Sequence, residues 1–155
     1  MNFNITLGFI LPWITGIFLY RRVPLLFYTI VPFTALIAVA CNQLGVQHGL
    51  WHLHPHTTVP IYNSLLIDLG YYPITAAWFT YLLYFTTFKR WQAYSLFFLL
   101  LNGFELLAIL ANKVSYHDKW SIIYSLVIYG IGLFAIDFYY FKVKKAIWAL
   151  SAPKS

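Results

Sequence analysis

The sequence predicts an all-α integral membrane protein: a bundle of five transmembrane helices with its amino terminus outside and its carboxyl terminus in the cytoplasm. Composition is the first reason. Charged residues make up 9% of the 155 positions and hydrophobic ones 61%, where a soluble domain carries roughly 25% charged residues. A globule of this size has too much surface to cover with so few charges. Spacing is the second reason, since no Asp, Glu, Lys or Arg occurs in 23–67, 69–88, 91–104 or 121–136. Runs of that length are cheap only where lipid is the solvent. The third reason is the distribution of basic residues, which sets the orientation. With the amino terminus outside, the inner segments hold Arg21, Arg22, Lys89, Arg90, Lys142, Lys144, Lys145 and Lys154, and the outer loops hold Lys113 and Lys119. Losing one span would put one of the basic pairs on the wrong side.

The first span is expected over 5–20 and is closed by Arg21 and Arg22. The apolar run has no basic segment before it and no small-residue cleavage site after it, so it reads as an uncleaved span rather than a signal peptide. Pro12 and Gly16 lie inside it, as membrane helices tolerate. The second span is expected over 23–41, with Pro32 predicting a kink rather than an end. Cys41, the single cysteine, excludes an internal disulfide and reads as a small buried hydrophobe. The segment 42–63 is the most polar long stretch and holds four of the five histidines. It is expected to lie on the membrane surface or to fold back between helices.

The third span is expected over 64–85. Asp68, Gly70 and Pro73 in its first part predict a bent or locally opened entrance. The fourth span, over 91–111, follows Lys89 and Arg90 and carries Asn102 and Glu105. The fifth, over 122–140, contains Gly130, Gly132 and Asp137. Together, 1–141 form the transmembrane domain, and 142–155 form a basic cytoplasmic tail with a frayed end. Trp51, Tyr71, Tyr72, Tyr116 and Trp120 near the outer interface, with Tyr84, Trp91, Tyr94 and Tyr140 near the inner one, read as aromatic belts.

Glu105 is the most informative residue. At about 1.5 Å per residue it lies about two thirds of the way across its span, toward the outer face. An ionisable group at that depth costs on the order of 3 kcal/mol, so it should face protein or water. Asn102, three positions earlier, shares its face and is expected to orient it. Asp68 is expected in the same outer half as a second carboxylate. Trp51 would cover the apolar part of a ligand, and His48 would contribute a group that changes charge near neutral pH. The competing reading of Glu105 and Asn102 is interhelical hydrogen bonding alone.

The histidines raise a second chemistry. His48, with the alternating His52, His54 and His56, offers imidazoles that a divalent transition metal would accept. The spacing matches neither HExxH nor a zinc-finger pattern, and Pro55 interrupts regular geometry. Asp137 is expected to pair with the basic residues of the tail. There is no phosphate-binding glycine loop and no serine nucleophile elbow.

The runs GVQHGLWHLHP, VPIYNSLLIDLGYYPI, NGFELLAIL and YHDKWSIIYSLVIY resemble the small multi-spanning membrane proteins of uncharacterised function found in bacilli and clostridia. The resemblance covers about 42–129. It rests on Gly49, Leu50 and Trp51, on Pro73, and on Lys119, Trp120 and Ser121. It implies a bacterial plasma-membrane location and brings no activity or ligand with it.

These residues lead to a membrane protein that binds a small ligand, ion or lipid headgroup from the outer side without catalysing a reaction. Glu105, Asp68, Asn102, Trp51 and His48 form the expected site, with His48, His52 and His54 as the metal alternative. Two other classes stay open. One is an intramembrane enzyme acting on a lipid or isoprenoid, with Glu105 as general acid; the other is a structural or assembly subunit. Membrane lipids are the expected partners, with a second copy or another membrane protein. The formal net charge of +6 is what a face lying against anionic lipid should carry and requires no nucleic acid.

Overall fold

The computed structural model of the chain describes residues 5–54, 61–117 and 120–151, and its regular structure is almost wholly helical. A π-helical turn, Thr6–Ile10, runs into α1, Leu11–Arg22. Pro12 explains the turn. It has no N–H to give to the carbonyl four residues back, and the chain bridges the gap with a wider bond from Leu11 N–H to Thr6 O. Val23 then leaves helical geometry, at φ −141, as a residue before proline tends to do.

Helix α2, Leu25–Gln47, starts after Pro24 and continues through Pro32. It runs six residues beyond the expected end at 41, which brings Asn42 inside the helix. Its end is a Schellman cap: Leu50 N–H bonds Gly45 O at 2.9 Å, Gly49 N–H bonds Val46 O at 3.1 Å, and Gly49 has φ +65. The chain then enters a short strand, β1, Trp51–Leu53.

The third expected span is two helices, α3, Ile61–Leu69, and α4, Tyr71–Phe85. They are broken at Gly70, so the expected interruption falls where Gly70 and Pro73 placed it. Pro73 sits in the first turn of α4, where no intrahelical N–H bond is required of it. Helix α5, Arg90–Leu110, ends in a second Schellman cap, with Asn112 at φ 53 and Lys113 N–H on Ala108 O at 2.8 Å. It launches β2, Val114–Tyr116. The two strands pair antiparallel, Trp51 with Tyr116, His52 with Ser115 and Leu53 with Val114.

Helix α6, Ile122–Ser151, is the longest, about 45 Å at 1.5 Å per residue. It carries the basic segment past Lys142, Lys144 and Lys145 as helix through Ser151, where a tail was expected.

Helix α4 is the hub. Pro73, Ile74, Thr75, Ala76, Ala77, Phe79 and Thr80 are buried, and it packs against α1, α2, α3, α5 and α6. Its small residues let backbones approach closely. The outer faces of the bundle are apolar instead of polar. On α6, Ile123, Val127, Ile131, Phe134, Phe138 and Phe141 are exposed, while the polar Ser125 and Asp137 are buried. That inversion of the soluble pattern is stable in lipid. Helices α2, α5 and α6 are each long and apolar enough to cross a membrane, which makes the chain a membrane-embedded helical protein. Cys41, expected to be buried, is exposed on α2.

Candidate site: a cavity beneath the ribbon

The β1–β2 ribbon sits over a cavity of about 390 Å³ enclosed by α2, α3, α4, α5 and α6. Strand alternation decides what the ribbon presents. Trp51, Leu53 and Val114 line the cavity, whereas His54 Nε2 bonds Ser115 Oγ at 3.0 Å on the other face. Trp51 is held in place from two sides. Its ring lies against Gly45, where a Cβ would come within 2.0 Å of Cζ2, and it meets Trp120 edge-on at 4.9 Å between ring centroids.

Glu105 lines the cavity from α5, in the ribbon-end half of its helix. Its Oε1 accepts the Tyr116 hydroxyl from β2 and, at 2.8 Å, the Ser125 hydroxyl from α6. Ser125 Oγ in turn accepts Trp120 Nε1–H at 3.2 Å. Tyr129, four residues after Ser125 and on the same face, is bonded to Tyr72 at 3.2 Å between hydroxyls and also reaches the Glu105 carboxyl group. The other carboxyl oxygen, Glu105 Oε2, is buried and has no partner. Desolvation, then the bond to Glu105, holds the Tyr116 phenol above its ordinary range.

Asp68 is fully buried near the end of α3. Asn42 of α2 and Ser64, one turn earlier, donate to it, and its Oδ2 is without a partner. A carboxylate in the last turn of a helix is opposed by the helix dipole, and these two donors offset that cost. Asn42 and Ser64 line the cavity but Asp68 does not, so the two carboxylates are separate features rather than a pair.

The expected site is therefore partly reassigned. Glu105 and Trp51 face the cavity. Asn102 does not orient Glu105, because its amide donates to Phe98 O of its own helix at 2.7 Å and it is absent from the cavity wall. His48 is exposed at the C-cap of α2, again away from the wall. Among the described residues no three of His, Cys, Asp and Glu converge on a point where a metal would sit. His48, His52 and His54 are thus not gathered as a ligand set, and His56 lies outside the described residues. Strand alternation leaves His52 and His54 on the ribbon face away from the cavity, while His48 sits at the C-cap of α2.

Several site residues carry no motif: Tyr72, Tyr116, Trp120, Ser125 and Tyr129. Three of them read as aromatic-belt residues from sequence. The available signal was the i, i+4 pair Ser125–Tyr129 in an otherwise apolar helix.

The mouth of the cavity lies between α2 and α6. Toward the basic end of the bundle these helices close on each other through Phe33 and Tyr139, stacked at 3.8 Å. Cys41 on α2 and Ile128 and Ile131 on α6 line the cavity and are also exposed on the outer surface, Ile131 at 63%.

A second polar centre sits at the basic end. Asp137, 6% exposed, accepts Tyr84 and Tyr94 hydroxyls at 2.6 Å each and is paired with Arg90. The expected pairing with the tail lysines is replaced by one to the start of α5, since the helix carries those lysines away from Asp137. Lys144 instead lies over the Tyr84 ring at 5.4 Å.

The fold and site define a helical membrane protein with a largely apolar cavity in its interior, into which one carboxyl group, that of Glu105, is set. Comparison with protein-family models, with curated proteins and with solved structures returns no match.

Proposed function

We propose that the chain crosses a bacterial plasma membrane five times, amino terminus outside and carboxyl terminus inside, and binds a small, mainly apolar ligand from the outer side in the cavity beneath the ribbon. Three features support the crossing pattern. The broken pair α3–α4 covers 25 residues across Gly70, about 37 Å, although neither half would span alone. The π turn and α1 add 17 residues, about 25 Å, which is short but workable in company. Arg21, Arg22, Lys89, Arg90, Lys142, Lys144 and Lys145 lie toward the end opposite the ribbon, as inner residues should. The resemblance carried by Gly49-Leu50-Trp51, Pro73 and Lys119-Trp120-Ser121 is the support for kinship with the bacillar and clostridial membrane proteins. A carboxyl-terminal fluorescent-protein fusion should glow and a carboxyl-terminal alkaline phosphatase fusion should be inactive; the reverse would invert the orientation.

The observation that carries ligand binding is the unpartnered Glu105 Oε2 in an apolar cavity. A buried acceptor left without a donor is costly, and pockets of this kind use a few polar groups in apolar walls to fix a ligand. The partners of Glu105 are hydroxyls, and Asp68 is behind the wall, so binding is favoured over acid–base catalysis. Native mass spectrometry of protein released from lipid nanodiscs tests the reading. A lipid-sized adduct should accompany the wild type and be lost in Gly132→Leu, which projects a side chain into the cavity. An adduct unaffected by that substitution would place the ligand elsewhere.

A further inference from the structure

Resting on the ligand-binding reading, we infer the class of ligand: a long-chain amphiphile with an alkylammonium head, entering sideways from the outer leaflet between α2 and α6. Four observations converge on it.

The first is the chemistry of the anchor. Oε1 of Glu105 is occupied by hydroxyl donors, the Tyr129 hydroxyl also reaches the carboxyl group, and Oε2 has no bond of its own, leaving lone pairs that can accept a donor. A ligand with an acceptor head, such as a fatty acid, would set acceptor against acceptor.

The second is the absence of a counter-charge. Among the described residues the ion pair is Arg90–Asp137 at the other end of the bundle, and Glu105 is bonded to neutral groups. An ammonium supplies both the missing donor and the missing positive charge, and a charge-assisted bond outweighs a neutral one in such surroundings. The hydrogen-bond partners of Glu105 include no cationic side chain among the described residues.

The third is the route. Residues that line the cavity and are also exposed, Cys41, Ile128 and Ile131, mark a lateral mouth that faces the hydrocarbon. The Phe33–Tyr139 stack closes its lower end. A chain entering this way keeps its apolar part against Ile37, Ala38 and Ala135.

The fourth is the room at the mouth. Gly132 lines the cavity, and a Cβ built there meets nothing within 4 Å. A larger residue at this position would occupy ligand space without displacing protein, and replacing a helical glycine favours the helix.

The test uses the full chain in nanodiscs with Trp13, Trp78, Trp91 and Trp148 each replaced by phenylalanine, so that the fluorescence comes from Trp51 and Trp120 in the cavity wall. Terminally brominated dodecylamine, dodecanol and dodecanoate are titrated, together with a brominated lysophosphatidylethanolamine. The amine should quench at the lowest concentration, the dodecanoate at a concentration about tenfold higher or more, a difference of 1.4 kcal/mol. Glu105→Gln, which keeps the shape of the side chain, should abolish the preference for the amine. Gly132→Leu should abolish quenching by every probe. The wild-type ranking of the two amine-bearing probes identifies the source, a free long-chain amine or a lipid headgroup. Equal quenching by amine and dodecanoate, or an amine preference unchanged in Glu105→Gln, overturns the ligand class while leaving the cavity as a binding site. Quenching by none of the four overturns the binding reading itself.

Discussion

The Tyr116 hydroxyl on strand β2 donates to Oε1 of Glu105 on helix α5. This one bond fastens the ribbon to the polar centre of the cavity it covers. The same face of the ribbon carries Trp51, the partner of Tyr116 in the strand register. Anchoring Tyr116 therefore also fixes the apolar cover. Tyr116→Phe removes the hydroxyl and keeps the ring. The ribbon should loosen while the helices stay folded. Hydrogen exchange at the β1 and β2 amides is expected to quicken, with the thermal midpoint falling by the equivalent of about 1 kcal/mol. Unchanged exchange in the ribbon would mean that strand pairing and the Trp51–Trp120 contact hold it without Glu105.

Asn102 provides the contrasting case. Its amide is spent on its own helix, and its Oδ1 is buried without a partner. Asn102→Leu should leave probe binding in the cavity unchanged and should be neutral or mildly stabilising, because it removes an unsatisfied polar atom from an apolar setting. A thermal melt and the bromine-quenching titration, run on the same sample, check both halves. Weakened binding would return Asn102 to the site.

What the sequence could and could not reveal follows from the range of the interactions. Helix positions were legible because they depend on local runs of apolar residues, and the break at Gly70 was legible because glycine and proline act within a turn. The overextension of α2 was not. Asn42 and Gln43 look like the start of a loop until Asp68 of α3 is known to face Asn42; the signal that does mark the end, Gly49 at φ +65, lies six residues beyond Gln43. Glu105 announced itself by the cost of its depth. Its partners did not, since Tyr116 and Ser125 lie 11 and 20 residues away and belong to types that membrane interfaces hold for other reasons. Depth and spacing also placed Asn102 on the face of Glu105, but a short amide can satisfy itself on the preceding turn.

Asp137 should be worth more to the bundle than its single ion pair suggests. It collects Tyr84 from α4, Tyr94 and Arg90 from α5, and its own helix α6. Arg90 is 60% exposed, so the ion pair itself is screened and contributes little. The two tyrosine hydroxyls are the larger share: without the carboxylate Tyr94 lacks an acceptor, and Tyr84 keeps only its longer bond to the Asp137 backbone carbonyl at 3.3 Å. Asp137→Leu is expected to destabilise by about 1–3 kcal/mol, and Arg90→Gln by less than half of that. Thermal unfolding in nanodiscs ranks the two. Equal losses would assign the stability to the charge pair, and added salt would then lower the wild-type midpoint toward that of the variants.

Gly70 is where the amino-terminal segment meets the broken span. A Cβ at Gly70 would lie 2.2 Å from Gly8 O and 2.8 Å from Phe9 Cα. Both are backbone atoms, so no rotamer change can relieve the clash. Gly70→Ala therefore has two consequences of opposite sign: alanine favours the helix by up to about 1 kcal/mol, and the overlap pushes the π turn off the α3–α4 junction. The second should dominate, because overpacking a fixed contact costs about 1–3 kcal/mol. The thermal midpoint should drop, and a protease-sensitive site introduced within 5–10 should become cleavable in intact nanodiscs. A variant as stable as the wild type, with the segment still protected, would show that the turn slides along the break instead of being locked to it.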